Sequence, residues 1–447
     1  MKRVHFIAIG GSVMHNLAIA LFKKKYQVTG SDDLISEPSK SRLKKYGLLP
    51  KRIGWFRENI TKEIDFIILG MHAKFDNPEL IEAQEKEIAI FSYPEFLYEH
   101  SKYKTRVVIA GSHGKTTITS MILHVLNYNN ISVDYLVGAQ LDGFETMVHL
   151  SENNDFILIE GDEYLSSVID NKSKFLWYKP NIALISGIFW DHINVFPTLE
   201  KYKNQFRIFI ENIVPGGVLI YNDSDQYLEK IVKNSQNTIR KEKYKSLDYF
   251  IENKKTYLKT NFGNLPLNIF GKHNIENLSG AKWICQLMGV DSDDFFEAIL
   301  NFKGASKRLE CLYKYNNSYL YKDFAHSPSK VKASCYAISQ QFPDLKKTFC
   351  LELHTFSSLN PIFIQEYSGS LNLGDEFIVF YDSKSSKINE RDLFSVDYIK
   401  KSFDRVLICD SEFRFRDESF TIIEQVVCFV YKYIFSGDVF KFWEADK

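Results

Sequence analysis

The amino-acid sequence predicts an α/β chain with mostly parallel sheets, divided into three domains. Three observations carry that prediction. Short runs of apolar residues alternate with helical spacings from the first residues onward. A polar stretch, Glu99 to Thr105, interrupts the alternation before it resumes at Arg106. After Lys303-Gly304-Ala305 the pattern restarts once more. The boundaries are therefore placed at residues 1–104, 105–305 and 306–447, a division that suits 447 residues and lets each domain bury a core of its own.

In the first domain, Val4 to Ile9 reads as a strand ending at Gly10-Gly11. Two basic residues precede it, but the longer apolar core and cleavage site of a signal peptide do not follow, so a cytoplasmic chain is expected. Ser12 to Lys25 carries apolar residues at Val13, Leu17, Ala20 and Leu21, a helical spacing. Gln27 to Asp32 reads as a second strand and turn, and Ile64 to Leu69 as another strand. In the second domain, Arg106 to Ala110 is a strand, Gly111 to Lys115 a loop and Thr116 to Leu126 a helix. Phe156 to Ile159 and Ile182 to Ser186 are buried strands, each followed by a polar or acidic cluster. Ligands of such sheets sit beyond the carboxyl ends of the strands, so those clusters are expected to converge. Asn222 to Asn264, rich in lysine and asparagine with weak periodicity, is expected to be solvated periphery.

Composition narrows the function. Lys and Arg total 56 and Asp and Glu total 56, a balance that argues against a nucleic-acid or anionic-membrane partner. A hydrophobic share of 45% excludes a disordered chain. No run reaches the roughly 18 apolar residues of a membrane span. The cysteines Cys285, Cys311, Cys335, Cys350, Cys409 and Cys428 form no C-x-x-C pair and have no close His partner in sequence, so reduced core thiols are expected.

The strongest motif is Gly111-Ser112-His113-Gly114-Lys115-Thr116-Thr117, between a strand and a helix. Its glycines let the backbone wrap a phosphate, and the helix start presents free N–H groups to it. Lys115 can sit on the β/γ-phosphates and the Thr116 hydroxyl can bind Mg²⁺, although the glycines are closer together than in the generic phosphate loop. Glu160-Gly161-Asp162-Glu163 and Asp191-His192 follow strands of the same sheet and can complete a Mg²⁺ shell. Gly271 to Asn277 reads as an Asn-capped helix start. Arg308, at the second boundary, can reach a transferring phosphoryl group. Lys322 to Pro328 ends a strand and opens a helix, placing Asp323 and His326 where residues face a cleft. Gly10-Gly11-Ser12 is a second phosphate-cradle candidate, but its incomplete fingerprint fits a diphosphate without nicotinamide chemistry.

Together these pieces resemble the Mur ligase family of bacterial cell-wall enzymes, in the family's order and along essentially the whole chain. The resemblance implies a Rossmann-like N-terminal domain for a UDP-sugar, a central P-loop ATPase domain and a Rossmann-like C-terminal domain for the acceptor. It implies ATP-dependent amide formation, in which the lactyl carboxylate of UDP-N-acetylmuramate becomes an acyl phosphate that an amine attacks, with ADP and phosphate released. On that reading Gly111, Ser112, His113, Gly114, Lys115, Thr116 and Thr117 hold the ATP phosphates, His273 and Asn277 face adenine, and Asp323 the ribose. Thr116, Glu160 and His192 hold Mg²⁺, Lys115 and Arg308 serve the γ-phosphate, and His326 orients the incoming amine. Gly10, Gly11, Ser12 and Asp32 receive the UDP end. The partners are UDP-N-acetylmuramate and a cell-wall peptide, in a monomer or weak homodimer.

Glu160 to Tyr164, Asp170 to Phe175 and Phe302-Lys303-Gly304 are similar to family members that take the recycled tripeptide L-alanyl-γ-D-glutamyl-meso-diaminopimelate. That acceptor is expected, with free L-alanine as the alternative. The chain departs from the family pattern at Gly187 to Trp190, Lys307, Ser327 and Leu353 to Ser358. A non-catalytic nucleotide-binding module would have lost Lys115, Glu160, His192 or Arg308, and all four are present.

Overall fold

The computed structural model describes residues 1–141, 143–381, 396–403, 406–409 and 425–430. The chain forms two compact units, each assembled from separate segments. The first holds Met1–Trp190, Thr198–Lys245 and Glu276–Ile299; the second holds Asp191–Pro197, Ser246–Ile275 and Leu300 onward.

The first unit contains a four-stranded and a seven-stranded sheet, besides an antiparallel pair of short strands, Leu165–Ser167 and Asp170–Ser173. Four parallel strands, Gln27–Ser31, Arg3–Ile7, Phe66–Leu69 and Ala89–Ser92, lie in that order. Phe6, Ile7, Ile67, Ile68 and Leu69 are fully buried, the continuous apolar reading expected of strands covered on both faces. Helix Ser12–Lys23 follows the first strand directly. Asn77 caps helix Pro78–Glu85, and Ser92 with Glu95 forms a capping box on helix Tyr93–Ser101. That last helix takes in Glu99, His100 and Ser101 of the stretch read as a polar break.

The second sheet is the seven-stranded one. Its order is Arg240–Tyr244, Val218–Asn222, Ile182–Ile185, Thr105–Ala110, Phe156–Glu160, Asp134–Leu136 and Val148–His149. All neighbours are parallel except the last pair. Strand Thr105–Ala110 therefore lies between Ile182–Ile185 and Phe156–Glu160, and all three deliver their following loops to one edge. Helix Lys115–Tyr128 leaves the first of these loops, with Ile118, Met121, Ile122 and Val125 fully buried.

The second unit carries a three-stranded antiparallel sheet, Tyr249–Glu252, Lys255–Thr260 and Gly263–Leu267. Part of the stretch read as solvated periphery is thus regular structure. Leu258 and Leu267 alternate inward among polar neighbours, a strand period too short to stand out by composition. A six-stranded sheet follows in the order Glu310–Tyr315, Ser318–Asp323, Gln425–Val430, Lys346–Leu353, Glu376–Tyr381 and Val406–Cys409. Only its first pair is antiparallel. Helix Pro328–Gln341 packs Val331, Cys335, Ala337 and Ile338 inward. Cys285, Cys335 and Cys350 are buried thiols, whereas Cys311 is exposed; the side chains of Cys409 and Cys428 lie outside the described residues. Among the described residues no helix is long and apolar enough to cross a membrane.

Candidate active site

The phosphate-loop candidate lies in the first unit, after the central strand Thr105–Ala110. Gly111 has φ +127° and Gly114 φ +77°, both outside the range that L side chains adopt readily. A Cβ on Gly111 would lie 2.2 Å from Ser186 Oγ, and one on Gly114 would lie 2.3 Å from Asn277 Oδ1. Gly114 caps helix Lys115–Tyr128, whose first N–H groups have no partner within the helix. A turn of this shape ahead of a helix start can receive an anion, and it forbids side chains at the two glycines.

Lys115 Nζ donates to Gly111 O at 2.6 Å and pairs with Glu163 Oε2 at 2.6 Å. Burial works against its charge, but the carboxylates of Glu163, Asp162 and Glu160 prevail and hold the ammonium above the ordinary lysine value. Thr116 Oγ1 donates to Glu160 Oε1 at 2.7 Å, and Gly138 N donates to Glu160 Oε2 at 2.9 Å. Ser112 turns its hydroxyl to Tyr202 OH at 2.7 Å and accepts from Phe189 N at 2.8 Å. Tyr202 OH in turn donates to Glu163 Oε1 at 2.8 Å. The His113 ring stacks on Phe189 at 4.8 Å between centroids. Thr117 is buried in the first helical turn.

The N-terminal group also comes together. Gly10 N donates to Asp32 Oδ2 at 2.7 Å, and Leu34 N reaches Oδ1 at 3.4 Å. Asp32 is therefore a clasp on the glycine turn. Burial raises its pKa, Asp33 adds to the rise, and the two amides oppose it. Gly11 caps helix Ser12–Lys23, and Ser12 Oγ donates to Gly138 O at 3.4 Å. Gly138 thus touches both the N-terminal turn and Glu160.

The remaining predicted residues divide between the units. Asn277 sits against Gly114 in the first unit. It lies inside helix Lys272–Leu287, so the motif forms the first turns of that helix, not a cap ahead of it. His273, His192, Arg308, Asp323 and His326 belong to the second unit. Thr116 and Glu160 are brought together as a pair of oxygens. Among the described residues no group of three or more His, Cys, Asp or Glu side chains is placed to hold a metal ion alone.

In the second unit, Asp323 is buried and takes hydrogen bonds from Leu309 N at 3.4 Å and from the Ser334 hydroxyl. His273 is pushed below the ordinary histidine value by burial, against the pull of Asp323. Lys307 and Leu309, at φ +58° and +45°, bracket Arg308, whose Nη1 donates to Phe324 O at 3.2 Å. His326 Nδ1 lies 3.0 Å from Phe324 O. A carbonyl only accepts, so Nδ1 carries the proton and Nε2 keeps its lone pair. Burial, then the charge of Lys330, holds His326 well below the ordinary histidine value, with Asp191 pulling the other way. Asp191 lies 3.7 Å from Lys330 and is lowered to about 2: burial opposes ionisation, and Lys330, His192 and His326 outweigh it.

Sequence reasoning missed Tyr202 and Gly138. Tyr202 is 90 residues from the Ser112 it contacts and carries no motif of its own.

Residues 3–105 match the Mur ligase family catalytic domain, and residues 109–285 the Mur ligase middle domain. UDP-N-acetylmuramate–L-alanine ligase from Clostridium botulinum (strain Langeland / NCTC 10281 / Type F) is 32% identical over 438 residues, covering 95% of this chain and 92% of that protein. The chain belongs to the Mur ligase family. Like the Mur ligases, it is an ATP-dependent ligase that forms a C–N bond. Among solved structures, the Mur ligase UDP-N-acetylmuramate-alanine ligase from Thermotoga maritima aligns over 100% of both chains, with TM-score 0.73 and 20% identity. A murein peptide ligase from Psychrobacter arcticus aligns over 96% of this chain and 95% of that one, with TM-score 0.68 and 19% identity. At these identities the likeness is one of fold, a mixed α/β architecture with mostly parallel sheets.

Proposed function

We propose that this Mur ligase joins L-alanine to the lactyl carboxylate of UDP-N-acetylmuramate. The observation that carries the reading is the near full-length match to curated L-alanine ligases, together with a complete phosphate cradle. A carboxylate is a poor electrophile, so ATP is spent on making an acyl phosphate that the amine then attacks. The loop amides and Lys115 hold the phosphates, where negative charge crowds as the phosphoryl group moves. Mg²⁺, when bound, neutralises that charge, and the Thr116 hydroxyl and Glu160 carboxylate supply oxygens to hold it, with His192 as the family's third ligand. Arg308 faces the transferring phosphoryl group, His273 and Asn277 the adenine, and Asp323 the ribose. The Nε2 lone pair of His326 receives or orients the attacking amine. The Asp32-clasped turn of Gly10, Gly11 and Ser12 takes the UDP end.

This acceptor reverses the order suggested by the sequence motifs, which put the tripeptide first. The reversal rests on the near full-length likeness to L-alanine ligases, and the tripeptide-like segment has another use in this fold. The Asp170–Phe175 segment is engaged in packing the first unit: Lys174 pairs with Asp162 at 2.6 Å, Ser173 donates to Gln205 at 2.9 Å, and Trp177 Nε1 donates to Asp170. Its likeness to tripeptide ligases therefore reflects internal support as readily as acceptor choice. The tripeptide remains the second reading, on the sequence likeness of that segment alone.

Phosphate release with ATP, Mg²⁺ and UDP-N-acetylmuramate, measured with each acceptor, separates the two. Turnover with L-alanine at least tenfold above that with L-alanyl-γ-D-glutamyl-meso-diaminopimelate is expected, with the product mass confirming the amide. The opposite preference would establish the tripeptide reading.

A further inference from the structure

We propose that Tyr202 is a positioning residue for the phosphate loop, setting how strongly Glu163 competes with nucleotide for Lys115. The inference rests on nucleotide binding at Gly111–Thr117. An ionised carboxylate only accepts, so Tyr202 spends its one proton on Glu163 Oε1 at 2.8 Å. Its oxygen must then accept the Ser112 proton across 2.7 Å, while Ser112 accepts from Phe189 N. Proton direction is thus fixed along the whole chain, from the Phe189 amide through Ser112 and Tyr202 to Glu163. Tyr202 and Glu163 are 0% and 1% exposed, so water does not substitute for either partner.

The consequence concerns the other carboxylate oxygen. Glu163 Oε2 holds Lys115 Nζ at 2.6 Å, and a phosphate arriving at the cradle competes for that same ammonium. Tyr202 draws one oxygen of Glu163 toward helix Leu199–Glu211 and leaves a single oxygen on the lysine. Without the hydroxyl, both oxygens turn to Lys115 and the carboxylate becomes a stronger rival to the nucleotide. Glu163 is in this sense a resident anion, and Tyr202 tunes its grip.

The test is a double-mutant cycle read by calorimetric titration of the full-length protein with ADP in Mg²⁺-free buffer. Tyr202→Phe is expected to weaken ADP binding about tenfold. Glu163→Gln removes the rival charge and is expected to leave binding as tight as wild type or tighter. In the Glu163→Gln background, Tyr202→Phe is expected to change binding less than twofold. In steady state, Tyr202→Phe raises the KM for ATP more than it lowers kcat. An equal Tyr202→Phe penalty in both backgrounds overturns the proposal, as does no penalty in either. Lys115→Ala is the control on the underlying site: unchanged ADP binding there removes nucleotide from this loop altogether, whereas weakened binding with an inert Tyr202→Phe sinks only the clasp.

Discussion

Lys115 illustrates how one side chain is asked for two incompatible things. It must remain charged while buried, and it must be available to a ligand. Three surrounding carboxylates meet the first demand, and only Glu163 takes the ammonium directly. Lys115→Ala is expected to reduce ligase turnover at least a hundredfold, as loss of a preorganised electrostatic contact does. It also strands a buried carboxylate, so stability falls by about 3–5 kcal/mol, and thermal melting of the variant measures this second effect separately. Gly114→Ala tests shape with no change of charge. The new methyl group needs φ +77° and the space held by Asn277 Oδ1, so a loss of about 2 kcal/mol or more is expected on denaturant unfolding.

At the scale of elements, strand Asp134–Leu136, next to the edge strand Val148–His149, shows how a short strand is pinned. Asp134 is fully buried and accepts from Ser151 N and Asn154 Nδ2, each at 2.8 Å, with Lys104 at 3.0 Å. Burial alone would raise its pKa, but neighbouring His100, Lys104 and Asn154 prevail and lower it. A carboxyl lowered in the folded state stabilises the fold above its unfolded pKa and loses that contribution as pH falls through the folded value. Wild-type stability is therefore expected to fall more steeply below about pH 4 than that of Asp134→Asn, in paired denaturant titrations. Much at this scale was legible in the sequence. Strands such as Ile182–Ile185, buried on both faces, read as plain apolar runs, and the loop Gly111–Thr117 announces itself because phosphate geometry tolerates few residues there. What stayed hidden has a common cause. The sheet Tyr249–Leu267 mixes lysine and asparagine with short alternations, and Tyr202 acts through a single oxygen brought in from another helix. Neither local propensity nor spacing encodes a partner 90 residues away.

At the scale of the whole molecule, each compact unit has its own apolar interior, around strands 105–110 and 156–160 in the first and 318–323 and 346–353 in the second. Calorimetric unfolding is expected to give an enthalpy larger than the van't Hoff value, because two cores need not melt as one. Equality of the two enthalpies over a single transition would contradict this. The first unit is also closed by a late segment. Glu276–Ile299 supplies Asn277 against Gly114, and Ala298 O lies 2.9 Å from His124 Nε2 on the helix that leaves the phosphate loop. On the ribosome those residues emerge only after nearly all of the unit they complete. At about 5–20 residues per second, the nascent chain spends on the order of 10 seconds or more with Gly111–Thr117 already made and its closing helix still unmade. The cradle proposed to grip nucleotide is thus among the last features of its unit to be assembled in the cell, and the unfinished loop is a natural client for whatever shields nascent chains.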